Sequence, residues 1–184
     1  MNKRQTAGFL IMGLAFSTAA LADFKLESAD IAEGKKLQET QVYSGFGCHG
    51  MNISPQLSWS GEPRATKSFA VTVYDPDAPT GSGWWHWLVY NIPAGVHELA
   101  RGSGNPELNK ATDGRVQGKT DFGSYGYGGA CPPEGSQPHH YQFKVFALDV
   151  AQLDLPENAS AAMIGFNLNA HAIDHAEIEA LYRR

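Results

Sequence analysis

Hydrophobic and polar side chains alternate with a period of two through the middle of the chain. Phe69, Val71 and Val73 share one face of a stretch from Ser68 to Tyr74. In the next stretch His86, Leu88 and Tyr90 alternate with Trp87 and Val89, and Tyr141, Phe143, Val145 and Ala147 repeat the pattern between His140 and Leu148. Such alternation buries one face of an extended chain and solvates the other, so each stretch predicts a half-buried β-strand. Turn-forming clusters separate them at 61–63 and 79–83, and a long glycine-rich passage runs from Gly102 to Gly135. A loop of that length inside a compact domain is usually functional or conceals short elements. The pattern changes toward the C-terminal end. Pro156 and a capping Asn158 introduce an alanine-rich segment to Ile164, Gly165 interrupts it, and Ile173, Ile178 and Leu181 predict a final short helix. The expected architecture is mostly β with short C-terminal helices.

The first 22 residues read as an address rather than as structure. Lys3 and Arg4 precede an apolar run from Ala7 to Ala15, and Ala20-Leu21-Ala22 supplies a small-residue cleavage site. The run is short for a spanning helix, which needs about 20 apolar residues. The expectation is therefore a signal peptide over 1–22, cleavage after Ala22, a single domain over 23–184, periplasmic location, and no integral membrane segment after processing. Secretion beyond the periplasm and oligomerisation are both compatible with this reading.

The leader carries two of the fourteen basic residues and none of the nineteen acidic ones, which leaves twelve against nineteen and a net charge of −7 with histidine neutral. That balance excludes a nucleic-acid partner of the usual kind, because such binding needs a basic stripe to displace condensed counterions. Cys48 and Cys131 are the two cysteines. In an oxidising compartment they can form one disulfide, the alternative being two buried thiols; neither flank has zinc-knuckle spacing.

Candidate chemistry gathers at strand ends. Asp75-Pro76-Asp77-Ala78-Pro79 closes one strand, Trp84-Trp85-His86-Trp87 opens the next, and His139-His140 opens the third. Consecutive strands usually pair, so Asp75 and His86 should sit side by side. His139 joins them if its strand runs in the same sense as that of His86. Each proline fixes its own φ and restricts the residue before it, which makes the acidic turn rigid. Asp75 can then accept from an imidazole N–H and set its tautomer, while Asp77 reads equally well as a turn residue bonding its own backbone. Gly126, Gly128 and Gly129 interleave with Tyr125 and Tyr127 ahead of Cys131-Pro132-Pro133, a composition that lets backbone N–H groups approach an anion. No Walker lysine and no dinucleotide fingerprint occurs.

These residues resemble the phosphatidylethanolamine-binding protein family, which includes the Raf kinase inhibitor protein, and specifically its exported bacterial branch. The matching stretches are Asn52-Ile53-Ser54-Pro55 with Leu57 and Trp59, Thr66-Lys67-Ser68, Asp75 to Pro79, Trp85-His86-Trp87 with Asn91-Ile92-Pro93, and Gly128 to Tyr141 running into Ala147-Leu148-Asp149. The resemblance implies two antiparallel sheets with Greek-key connections, short C-terminal helices and a shallow pocket for phosphate-like groups. It places Asp75, His86 and His139 in that pocket, with Tyr141 and the loop from Gly128 and Gly129 to Pro132 as its wall and Trp85 at its edge. Tyr182 matches a C-terminal tyrosine that closes the pocket in other members.

The function expected is binding of a small anionic or phosphorylated ligand without a cofactor, extended by the resemblance to a modulator or inhibitor of a protein partner. The alternative is a hydrolase in which the histidines and Asp75 act as acid and base. No G-x-S-x-G elbow supplies its nucleophile. A zinc site from His86, His139, His140 and Asp75 is a third reading. Adjacent strand residues point to opposite faces, which separates His139 from His140 and counts against it.

Overall fold

The computed structural model describes residues 23–105, 107 and 113–184, so the expected leader lies outside the described residues. In chain order the strands are β1 (Lys25–Glu27), β2 (Ser44–Gly45), β3 (Cys48–His49), β4 (Leu57–Ser60), β5 (Ser68–Asp75), β6 (Trp84–Pro93), β7 (Glu98–Leu99), β8 (Val116–Gln117), β9 (His139–Leu148) and β10 (Ala172–Tyr182), with helix α1 (Ala161–His171) before the last. A large sheet runs β10-β9-β5-β6-β8, a small one β1-β4-β7, and β2 and β3 form a separate hairpin. The neighbouring strands pair antiparallel. The run β9-β5-β6-β8 has the Greek-key order, with β7 diverted into the small sheet.

The alternation read from the sequence sets the layers. Phe69, Val71 and Val73 of β5, Phe143 and Val145 of β9, and Trp87 and Val89 of β6 pack with Leu57 and Trp59 of β4 to form the main core between the two sheets. The opposite face of the large sheet, including Ala70, Leu88, Tyr90 and Leu148, packs on Ile164 and Leu168 of α1. β5 is thus covered on both faces.

The C-terminal region corrects two expectations. The helix is capped by Ser160, whose hydroxyl accepts from the Met163 N–H, and it continues through Gly165 to His171. A Cβ at Gly165 would lie 3.2 Å from the Trp85 indole, so the glycine lets α1 approach the sheet rather than ending it. The predicted final helix is a strand. Ala176, Ile178, Ala180 and Tyr182 point inward with period two, and β10 pairs with β9 from Leu148 back to His139. Backbone bonds from Gly34 to Glu179, Leu37 to Leu181 and Leu181 to Lys35 cover part of its outer edge.

Candidate functional site

β5 is antiparallel to both β6 and β9, so β6 and β9 run in the same sense. The end of β5 therefore meets the beginnings of the other two, and Asp75, His86 and His139 converge at one end of the large sheet. One local irregularity completes the convergence. Val73 pairs with Trp87 and Tyr74 with Trp85, so His86 is the extra residue of a β-bulge. The bulge breaks the alternation and turns His86 and Trp87 to the same face, toward Tyr141 and the main core. Simple alternation had grouped His86 with Leu88 and Tyr90, which face α1 instead.

The side chains at this end are tied from behind. Asp75 is buried; its Oδ1 accepts from the Asp77 N–H at 2.9 Å and its Oδ2 from His139 Nδ1 at 2.7 Å. His86 Nδ1 donates to the Gly128 carbonyl at 2.8 Å, and the Gly128 N–H donates back to the His86 carbonyl. Both imidazoles thus hold their Nδ1 proton on a fixed acceptor and keep Nε2 as the nitrogen for the pocket. Burial pushes the His86 imidazole below its ordinary value, against the opposing pull of the Gly128 carbonyl and the Asp75 carboxylate. At neutral pH its Nε2 is an acceptor, and it becomes a donor only on protonation.

His140 takes the other side of β9, as the period of two requires. Its ring and backbone N–H both donate to Asp77 Oδ2, at 2.7 and 2.8 Å, and the hydrogen bond raises its pKa. Asp77 therefore ties the proline-rich turn to the start of β9 rather than bonding only its own backbone. Among the described residues no group of three or more His, Cys, Asp or Glu side chains is placed to hold a metal ion.

Asp75, His86, His139 and Tyr141 line a pocket of about 180 Å³ whose remaining walls are largely apolar. Pro79 and Thr80 come from the β5–β6 turn, Pro132 and Pro133 from the segment before β9, and Phe46, Trp84 and Phe122 from the rim. Among the described residues no lysine or arginine lines it. The Tyr141 hydroxyl is buried without a hydrogen-bond partner. Burial, with the Asp75 charge adding to it, pushes that phenol well above its ordinary range, so it remains an O–H donor.

Two cross-links hold the walls. Cys48 of β3 and Cys131 form a disulfide across 83 residues of sequence. Arg184 donates from Nε to the Pro132 carbonyl at 2.8 Å and from its guanidinium to the Phe46 carbonyl at 3.4 Å.

The expected site residues divide into those that face the pocket and those that build it. Asp75, His86, Pro132, His139 and Tyr141 line it. Gly128 and Gly129 stand behind His86: the first supplies the carbonyl, and a Cβ on the second would fall 2.3 Å from the Gln41 carbonyl oxygen. Trp85 is corrected, since its ring packs on Tyr74 and against Gly165 of α1 while its neighbour Trp84 reaches the pocket. Tyr182 does not close the pocket either; its hydroxyl donates to Glu39. Phe46 and Phe122 escaped sequence reasoning, although an aromatic residue between Gly45 and Gly47 was a signal of a presented ring.

Comparison with known proteins agrees with this fold. A family model described as phosphatidylethanolamine-binding protein matches residues 27–183. The UPF0098 protein YbcL of Escherichia coli (strain K12) is 55% identical over 171 residues, covering 92% of this chain and 93% of the relative. The UPF0098 protein YbhB of the same organism is 51% identical over 158 residues, covering 86% and 99%. The crystal structure of E. coli YbcL, described as a new member of the mammalian PEBP family, superposes with a TM-score of 0.86 over 89% of this chain and 99% of that one. A homologue from Chlamydia trachomatis, 33% identical, superposes with a TM-score of 0.71 over 88% and 97%.

Proposed function

Because this chain belongs to the phosphatidylethanolamine-binding protein family, we propose that it is an exported, periplasmic binding protein for small phosphoryl-bearing anions, which it takes in the pocket between Asp75, His86, His139 and Tyr141. The observation that carries this reading is three buried polar side chains with unspent hydrogen-bonding capacity in one apolar hollow. Among the described residues neither Nε2 has a partner, and the Tyr141 hydroxyl has none. The buried Tyr141 O–H is costly to leave unsatisfied and a ligand oxygen satisfies it, while each Nε2 donates to that oxygen once its ring is protonated.

The bound anion accepts from Tyr141 and, once their Nε2 atoms also carry a proton, from His86 and His139. Asp75 fixes the His139 tautomer and balances charge when that ring is protonated. With no lysine or arginine among the described residues of the walls, His86 takes up a proton as the anion enters. A charge-assisted hydrogen bond contributes about 1.5–3 kcal/mol, so two or three of them support weak to moderate affinity. Among the described residues lining the pocket the hydrolytic alternative has no free thiol or aliphatic hydroxyl to attack with: Cys131 is in the disulfide and the Thr80 hydroxyl donates to the Gly83 carbonyl.

Sulfate tests this cleanly, because its charge is constant across the range. Titrated calorimetrically from about pH 8 to about 5.5, its affinity should rise by up to about tenfold per pH unit for one proton taken up. The rise should be weaker in His86→Gln. Flat affinity in the wild type, or binding unaffected by the substitution, would overturn the reading.

A further inference from the structure

The rim of the pocket carries an aromatic surface that the anion site does not use. Phe46 occupies the first of two turn residues joining β2 to β3, with φ of 52° followed by Gly47 at 81°. That is the left-handed pair of a tight hairpin, where asparagine and glycine are favoured and a bulky side chain is strained. Yet Phe46 is 68% exposed, so the strain is not offset by burial of the ring. The chain spends further contacts on holding it there: the Cys48–Cys131 disulfide anchors the hairpin two residues on, and Arg184 bonds the Phe46 carbonyl. Strain retained at an exposed, cross-linked position marks a functional element.

Phe46 stacks on Phe122 with ring centroids 5.9 Å apart and planes within 15°. Phe122 in turn lies 5.3 Å from the His86 ring and 5.4 Å from Trp84. A Cβ at Gly128 would meet the Phe122 ring at 2.3 Å, so that glycine admits the ring beside His86. The aromatic lip therefore begins one ring's breadth from the anion donors. The pocket itself, about 180 Å³, is below the ~300–1,000 Å³ of sites that enclose a whole organic ligand, so the body of a phosphoryl ligand must leave across the rim.

We propose that the Phe46–Phe122 lip is a second subsite that stacks a flat aromatic group bonded directly to the phosphoryl oxygen, so that aryl phosphates are preferred over free phosphate and over saturated phosphate esters. The inference rests on the anion reading above. A long spacer between phosphorus and ring would carry the ring past Phe122, and a puckered ring would lose the face-to-face contact that two nearly parallel phenyl groups offer.

The test compares inorganic phosphate, phenyl phosphate and cyclohexyl phosphate at one pH, on the processed protein and on Phe46→Asn. Asparagine suits the left-handed turn, so the variant should fold at least as well, which its melting temperature checks. Phenyl phosphate should bind wild type about tenfold more tightly than inorganic phosphate and about threefold more tightly than cyclohexyl phosphate. In Phe46→Asn the phenyl-to-inorganic ratio should collapse toward one. A preference that survives the substitution, or equal binding of the phenyl and cyclohexyl esters, overturns the aromatic subsite while leaving the anion site intact. Failure of wild type to bind any of the three overturns the anion reading and this one with it.

Discussion

Asp75 and His139 lie 64 residues apart in sequence, and their side chains meet at 2.7 Å between Oδ2 and Nδ1 in a buried pair. The carboxylate is fully engaged, since its other oxygen holds the Asp77 N–H. Asp75→Asn keeps the shape but leaves an amide N–H₂ facing one of two donors. Ligand-free stability should fall by about 1–3 kcal/mol, and sulfate affinity by about tenfold or more, because the His139 tautomer is no longer fixed. Urea denaturation and calorimetry read the two effects separately.

Tyr141→Phe should separate stability from binding in the opposite direction. Its hydroxyl is buried and unpartnered in the empty protein, so removing it should leave stability unchanged or raise it by about 1 kcal/mol. The same change removes a donor from the anion and should weaken phosphate binding about tenfold. A loss of stability without loss of affinity would show that the hydroxyl serves the fold.

His86 should make the empty protein acid-sensitive. Burial lowers its folded-state pKa below the unfolded value of about 6.5. Its contribution to stability is therefore full above about pH 6.5 and is lost as pH falls toward the folded pKa, because the unfolded chain binds the proton that the folded chain refuses. The slope from one such group is at most about 1.4 kcal/mol per pH unit. His140 works against it: the Asp77 bond raises its pKa, so its small contribution is present at low pH and lost as pH rises. The comparison to make is wild type against His86→Gln in thermal melts from about pH 7.5 to about 5.5, where the variant should lose less on acidification.

Gly129→Ala should be poorly tolerated. The added methyl would meet backbone atoms of Gln41, Val42 and Tyr43 at 2.3 to 2.6 Å, and backbone cannot swing aside as a side chain can. The cost should reach about 3 kcal/mol. The Asn52 side chain, which accepts the Gly129 N–H at 2.7 Å, would be displaced as well. A denaturation midpoint equal to wild type would contradict the close approach.

The strands carrying the site were legible because a period of two runs through most of each, and the hairpin from Asp75 to His86 follows from adjacency alone. The convergence of His139 needed one further condition, that β6 and β9 run alike, which the central place of β5 satisfies. The bulge at His86 was not legible. Trp85 was placed at the pocket edge by the resemblance, whereas the ring that reaches the pocket is that of Trp84, two residues from His86 on the same side. β10 was misread because Ile173, Ile178 and Leu181 were weighed while the small inward residues Ala176 and Ala180 were not. Gly165 misled for a related reason: a glycine in a helical pattern reads as a break until the Trp85 ring beside it is known.

Arg184 reaches back to the carbonyls of Pro132 and Phe46, and β10 aligns with β9 up to His139. The hollow is thus completed by a segment that follows every lining residue in the chain. A nascent chain carrying every lining side chain still lacks the strand that braces β9 and the guanidinium that joins the opposing walls, so the pocket takes its shape only after β10 and Arg184 have emerged as well.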